Sequence, residues 1–162
     1  MTTINSNSPV CVTGASGYIA SWIVKYLLEE GLTVHATVRD SKKQASVAHL
    51  LKLAEGTKGT LRLFDADLLK AGSFDQAVEG CELVIHTASP FVIRGFKDPH
   101  EALIRPAVEG TDNLLQACNK ASSVKRVVLT SSVASIYGDA VEALSAPGGV
   151  FTEALWNNTS SA

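Results

Sequence analysis

Cysteine is scarce. The 162 residues hold three, Cys11, Cys81 and Cys118, far apart and never in a Cys-x-x-Cys pair. That pattern excludes a disulfide framework and zinc-site spacing, and it points to a reducing compartment. Long apolar runs are missing too: none approaches the ~18 residues of a membrane span. The opening stretch MTTINSNSP is polar and does not resemble a secretion signal. Neither charge sign dominates. Lys and Arg number 14 against 16 Asp and Glu, a net charge of −2 with no basic block and no acidic tail. Nucleic acid and membrane are therefore not expected partners, no metal site is expected, and the expected location is cytoplasmic.

What is present is a core-forming composition, 46% hydrophobic, in a chain of single-domain length. Such a chain can bury roughly 68–70% of its unfolded surface. Short β-rich runs alternate with longer helical patterns. Strands are predicted at 10–13, 33–39, 61–64, 83–87 and 126–130, with helices at 19–30, 42–54, 73–78 and 99–121. Expected inward residues are Ile19, Ile23, Tyr26 and Leu27 on the first helix, and Val47, Leu50, Leu51 and Leu53 on the second. On the long helix they are Leu103, Ala107, Leu114, Leu115 and Cys118. Gly31 fits a helix C-terminal stop. Several strands are continuous apolar runs, as parallel strands covered on both faces require. The expected fold is α/β, a doubly wound parallel sheet of Rossmann type with strand order 3-2-1-4-5. Residues 1–138 read as a dinucleotide-binding domain and 139–162 as a loop.

Candidate chemistry collects at the ends of the strands. In VTGASGYIA, the turn between first strand and first helix holds Gly14 and Gly17, with Ala20 where a third glycine could stand. Gly14 permits a tight turn, Gly17 lets backbone approach a phosphate, and Ala20 is small enough for helix–strand packing. The plainer alternative is a bend that binds nothing. The second strand ends in HATVRD. Arg39, with Lys42 and Lys43 behind it, suits a ribose 2′-phosphate and so NADP, whereas Asp40 would suit the 2′-OH of NAD. Asp40 or Ser41 could instead cap the next helix. In FDADL, Asp67 is placed to meet an adenine amino group with Leu68 against the ring, or else to cap a helix. In VIHTASP, Thr87, Ala88 and Ser89 lie where a nicotinamide ribose would pass, and His86 reads as a packed or hydrogen-bonded strand residue rather than a base. Thr130, Ser131 and Ser132 end the fifth strand. A hydroxyl there could polarise a substrate carbonyl or simply satisfy local backbone groups.

Five stretches in this order, VTGASGYIASW, TVHATVRD, DADLLKAGSFDQAVEGCELVIHTASP, DPHEALIRPAVEGTDNLLQAC and VKRVVLTSSVASIYG, make the chain similar to the extended short-chain dehydrogenase/reductase family. The likeness is closest to its dihydroflavonol reductase, cinnamoyl-CoA reductase and NADPH-dependent aldehyde/ketone reductase branch. The resemblance implies an oxidoreductase that carries hydride from NADP(H) to an aldehyde or ketone, with a small-molecule carbonyl compound as its partner. It implies that Gly14, Ser16, Gly17, Tyr18 and Ile19 line the pyrophosphate. Arg39 and Lys43 would hold the 2′-phosphate, Asp67 and Leu68 would meet the adenine, and Thr87, Ala88 and Ser89 would follow the cofactor. Ser132 would be the catalytic serine, bonded to the carbonyl oxygen.

One family feature is missing. The family's proton donor is the tyrosine of a Tyr-x-x-x-Lys motif, whose lysine lowers the phenol pKa. Tyr18, Tyr26 and Tyr137 are followed four residues later by Trp22, Glu30 and Val141. The expectation is therefore an N-terminal part of a longer enzyme, lacking the substrate region and inactive alone, with self-association through apolar surface left uncovered. Phe91 to Phe96 is expected to form one pocket wall. A non-catalytic NADP-binding module and a nucleotide-sugar epimerase or dehydratase are the competing functions.

Overall fold

A computed structural model describes residues 3–90, 95 and 97–160. Five strands form one all-parallel sheet: β1 Val10–Thr13, β2 Thr33–Val38, β3 Thr60–Asp65, β4 Leu83–His86 and β5 Arg126–Leu129. Their order is β3-β2-β1-β4-β5, as the alternating pattern predicted. Helices α1 Tyr18–Glu29, α2 Gln44–Ala54, α3 Asp75–Val78 and α4 Arg105–Lys120 fall between the strands, and a π-helical turn at His100–Ile104 leads into α4.

The central strand shows how both faces are used. All four residues of β1 are buried. Val10 and Val12 pack with Ala20, Val24 and Leu28 of α1 and Val47 and Leu50 of α2. Cys11 packs with Val84, with Phe74, Ala77 and Val78 around α3, and with Leu114 and Cys118 of α4. Period-two alternation along an apolar strand thus feeds two separate cores. The outer strand β5 departs from the expected double cover: Arg126, Val128 and Leu129 are exposed, because β5 is a sheet edge.

Expected helix faces needed correcting. On α1 the inward stripe is Ala20, Val24 and Leu28, while Ile19 and Tyr26 are exposed and Ile23 and Leu27 only flank the core. Ala20, Val24 and Leu28 share the core cluster with Val10 and Val12 of β1, so the stripe is turned by one residue. Leu51 and Leu115 are exposed for the same reason of phase. Gly31 does end α1, at φ +83°. Its N–H bonds the Leu28 carbonyl and that of Leu32 bonds the Leu27 carbonyl, the paired bonds of a Schellman stop. Helix α2 starts at Gln44 with Lys43 as N-cap, so neither Asp40 nor Ser41 caps it.

The chain forms two compact units, Met1–Leu129 and Thr130–Ala162. The second is not the plain loop expected after Gly138. It contains 3-10 turns at Val133–Ser135, Ala140–Ser145 and Pro147–Gly149. Asp139 and Glu142 form a capping box on the middle turn, an Asp-x-x-Glu signal readable in DAVE. Tyr137 stacks on Phe151 with ring centroids 4.0 Å apart. Apart from Gly95, the proposed pocket wall at 91–96 lies outside the described residues. Among the described residues no helix is long and apolar enough to cross a membrane.

Candidate functional site

The turn after β1 is tight because Gly14 adopts φ +64°. The Gly17 N–H returns to the Gly14 carbonyl at 2.9 Å, and the Ala15 N–H bonds the Thr37 carbonyl of β2 at 2.9 Å. Gly17 is the N-cap of α1 and offers no side-chain cap. The N–H groups of Tyr18, Ile19 and Ala20 therefore have no partner among the described residues. Ser16, Gly17, Tyr18 and Ile19 are exposed, while Ala15 and Ala20 are buried. A helix start with open donors and no acidic residue in its first turn is suited to an anion. A Cβ on Gly17 would sit 3.2 Å from the Gly14 carbonyl oxygen, a contact that a small shift of the turn relieves.

The exit of β4 lies against this turn. Thr13 Oγ1 accepts the N–H groups of Thr87 and Ala88, each at 3.1 Å, and lies 2.7 Å from His86 Nδ1. Thr87 Oγ1 in turn donates to the Thr13 carbonyl. Two N–H groups already occupy the Thr13 Oγ1 lone pairs, which leaves its hydroxyl proton free to point at Nδ1 when that nitrogen is unprotonated. His86 Nε2 is buried without a hydrogen-bond partner among the described residues. A Cβ on Gly14 would meet the Ala88 Cα at 3.0 Å, so this approach needs glycine. Ser89 is exposed beyond the clamp. Spacing gave no sign of Thr13 or its partner Thr37, whose Oγ1 accepts the Gly14 N–H at 3.3 Å; only strand register brings Thr13 beside His86.

Burial lowers the His86 pKa below its ordinary 6.5. The same holds for His35, buried on β2, where burial outweighs a hydrogen bond from Nδ1 to the Ala77 carbonyl at 2.9 Å. Both imidazoles bind a proton more readily once unfolded. Their contribution to stability is present above about pH 6.5 and is lost as pH falls through the lower folded values. The urea midpoint should fall between about pH 8 and about pH 5.5; a flat or rising midpoint would contradict this.

At the far end of the site a cavity of about 450 Å³ is lined by Arg39, Asp65, Asp67, Lys70, Ser73 and Gln76, among others. It brings together the ends of β2 and β3. Arg39 and Lys43 are exposed. Asp40 is turned to local work, its Oδ1 accepting the Lys42 N–H at 2.9 Å. The Ser41 N–H, at 2.6 Å from Oδ1, holds the Asp65 carboxyl below its ordinary pKa. Asp67 Oδ1 accepts the Leu69 N–H at 2.8 Å, and Leu68 is half-buried with its side chain against Gly110 of α4. Asp67 is exposed and shapes its own turn.

In the second unit Ser132 is exposed and caps the 3-10 turn at Val133–Ser135, with Oγ accepting the Ala134 N–H at 3.2 Å. Its hydroxyl proton has no acceptor in that contact. Ser131 Oγ lies 2.9 Å from Ser135 Oγ. The local-capping alternative therefore describes part of this serine cluster, and the Ser132 O–H remains available to donate.

A strand–glycine turn–helix at the carboxyl edge of a parallel sheet is a scaffold with known relatives. The model of the NAD dependent epimerase/dehydratase family matches residues 10–157. The chain belongs to that family. Within it, the reductase branch expected from the motifs is where the relatives lie. A cinnamoyl-CoA reductase of Medicago truncatula is 55% identical over 136 residues, 84% of this chain and 41% of that protein. Dihydroflavonol 4-reductase of Gerbera hybrida is 46% identical over 134 residues, 83% of this chain and 36% of that protein. Gre2 of Candida albicans, solved in complex with NADPH, superposes with a TM-score of 0.76 at 34% identity, over 94% of this chain and 45% of that one. The chain thus spans about two fifths of the length of the relatives it matches.

Proposed function

We propose that these residues form the cofactor-binding part of an NADP(H)-dependent reductase that converts an aldehyde or ketone to an alcohol. The observation that carries this reading is the joint placement of an open-donor helix start at Gly17–Ile19 and a polar cavity that includes Arg39 along one sheet edge. The NADPH complex of the similar Gre2 supports it. The residues fit the group: neither Gly14 nor Gly17 places a side chain in the turn, and the Tyr18 and Ile19 N–H groups have no partner among the described residues.

In this reading Gly14, Ser16, Gly17, Tyr18 and Ile19 hold the pyrophosphate by backbone donors and the helix dipole. Arg39 and Lys43 bind the 2′-phosphate, charge-assisted contacts that NADH cannot make. Asp67 and Leu68 border the adenine, and Thr87, Ala88 and Ser89 guide the nicotinamide ribose. The bound nicotinamide supplies the hydride. Ser132 donates its hydroxyl proton in a hydrogen bond to the substrate oxygen and so stabilises charge developing there. No tyrosine of the chain has a lysine four residues on, so the 162 residues alone are expected to bind cofactor with little or no turnover.

Titration of the chain with NADPH and NADH tests this. The expected result is tighter NADPH binding, lost by about tenfold or more in Arg39→Ser with NADH binding unchanged. Equal affinities, unaffected by that change, would refute the assignment. A second reading is a non-catalytic NADP-binding module. A longer gene product that binds NADPH yet turns over no carbonyl in a broad panel would favour it.

A further inference from the structure

We propose that His86 is a positioning residue for the dinucleotide: through the Thr13 hydroxyl it holds the β4 exit at Thr87–Ala88 against the Gly14 turn. The inference rests on the cofactor reading above. Strand register sets Thr13 beside His86. Both are buried, at 0% and 1% exposure, so bulk water cannot serve the hydroxyl. A hydroxyl has two lone pairs and one proton. Here the lone pairs take the Thr87 and Ala88 N–H groups, and the proton needs an acceptor. His86 Nδ1, at 2.7 Å, is that acceptor.

Without it, the buried O–H is left unpaired or rotates and releases one of the two N–H groups. The first costs stability, and the second loosens the β4 exit at Thr87–Ala88, where the Ala88 Cα lies 3.0 Å from the place a Cβ on Gly14 would take. The two loops joined by this clamp are those assigned to the pyrophosphate and to the nicotinamide ribose. His86 touches neither group and acts only through Thr13. Burial lowers the imidazole pKa and so disfavours the doubly protonated ring, in which Nδ1 could not accept.

The test uses the 162-residue chain and NADPH as the probe, with folding of each variant checked by circular dichroism. His86→Leu removes the acceptor and should weaken NADPH binding about tenfold. His86→Asn places an amide oxygen near the Nδ1 position and should recover most of that loss, which a purely space-filling role would not show. Nitrogen-15 NMR of the wild-type imidazole should find Nδ1 unprotonated and hydrogen-bonded, a signature lost in Thr13→Val. NADPH binding by a folded His86→Leu equal to wild type, or no recovery in His86→Asn, would overturn the inference. So would a proton on Nδ1, a result that needs no variant to fold. Wild-type chain that binds neither NADPH nor NADH would overturn the cofactor reading and this role with it.

Discussion

Gly59→Ala should cost the fold about 3 kcal/mol, more than its small size suggests. A Cβ there would lie 2.6 Å from the Leu32 carbonyl oxygen and 2.7 Å from both the Cα and the carbonyl oxygen of Leu28. All three are backbone atoms at the end of α1, where the Schellman stop already fixes the chain. The Gly59 N–H bonds the Leu28 carbonyl at 3.0 Å and the Thr60 N–H bonds the Leu32 carbonyl at 3.1 Å, so β3 begins pressed against that stop. Neither side can shift without breaking these bonds. Gly56→Ala is the informative control. Gly56 has φ +74° but nothing within 4 Å of a Cβ, so it carries only the left-handed backbone penalty, about 1 kcal/mol. Urea midpoints of the two variants measure the difference. Equal losses would mean that backbone conformation, and not the close approach, makes Gly59 necessary.

Gly59 also marks the limit of what could be read from the sequence. Its neighbours Thr57 and Gly56 announce a turn, but nothing in TKGT says that the chain there will cross the end of α1. Periodicity was enough for the sheet, because parallel β1, β2 and β4 must be apolar to be covered on both faces. It was not enough for helix phase: Ile19 and Ala20 are both apolar, and only contact with β1 decides that the smaller one goes inside. The capping-box pair Asp139 and Glu142 is legible from spacing alone, because both partners lie three residues apart on one turn. At the candidate site, glycines and a cation at strand ends could be found by position. Thr13 could not, since its role arises from pairing with a histidine more than seventy residues away.

Gly14→Ala and Gly17→Ala should part company, although both sit in the same turn. At Gly14 two costs combine. The backbone is left-handed at φ +64°, and a Cβ would meet Ala88 at 3.0 Å from Cα and 3.1 Å from Cβ. Together they should cost about 2–3 kcal/mol of stability, because Ala88 is tied to Thr13 and cannot retreat. At Gly17 the backbone is extended, with φ −75° and ψ 160°, which any residue adopts. Only the Gly14 carbonyl oxygen comes near, at 3.2 Å, a contact relieved by a small shift. Gly17→Ala should therefore leave stability within about 1 kcal/mol of wild type. The exposed methyl group would instead stand where the proposed pyrophosphate meets the Tyr18 and Ile19 N–H groups, and NADPH binding should weaken by about tenfold or more. Urea denaturation and NADPH titration of both variants separate the two effects. If Gly17→Ala binds NADPH as wild type does, the turn is a bend required by the fold and not a phosphate cradle.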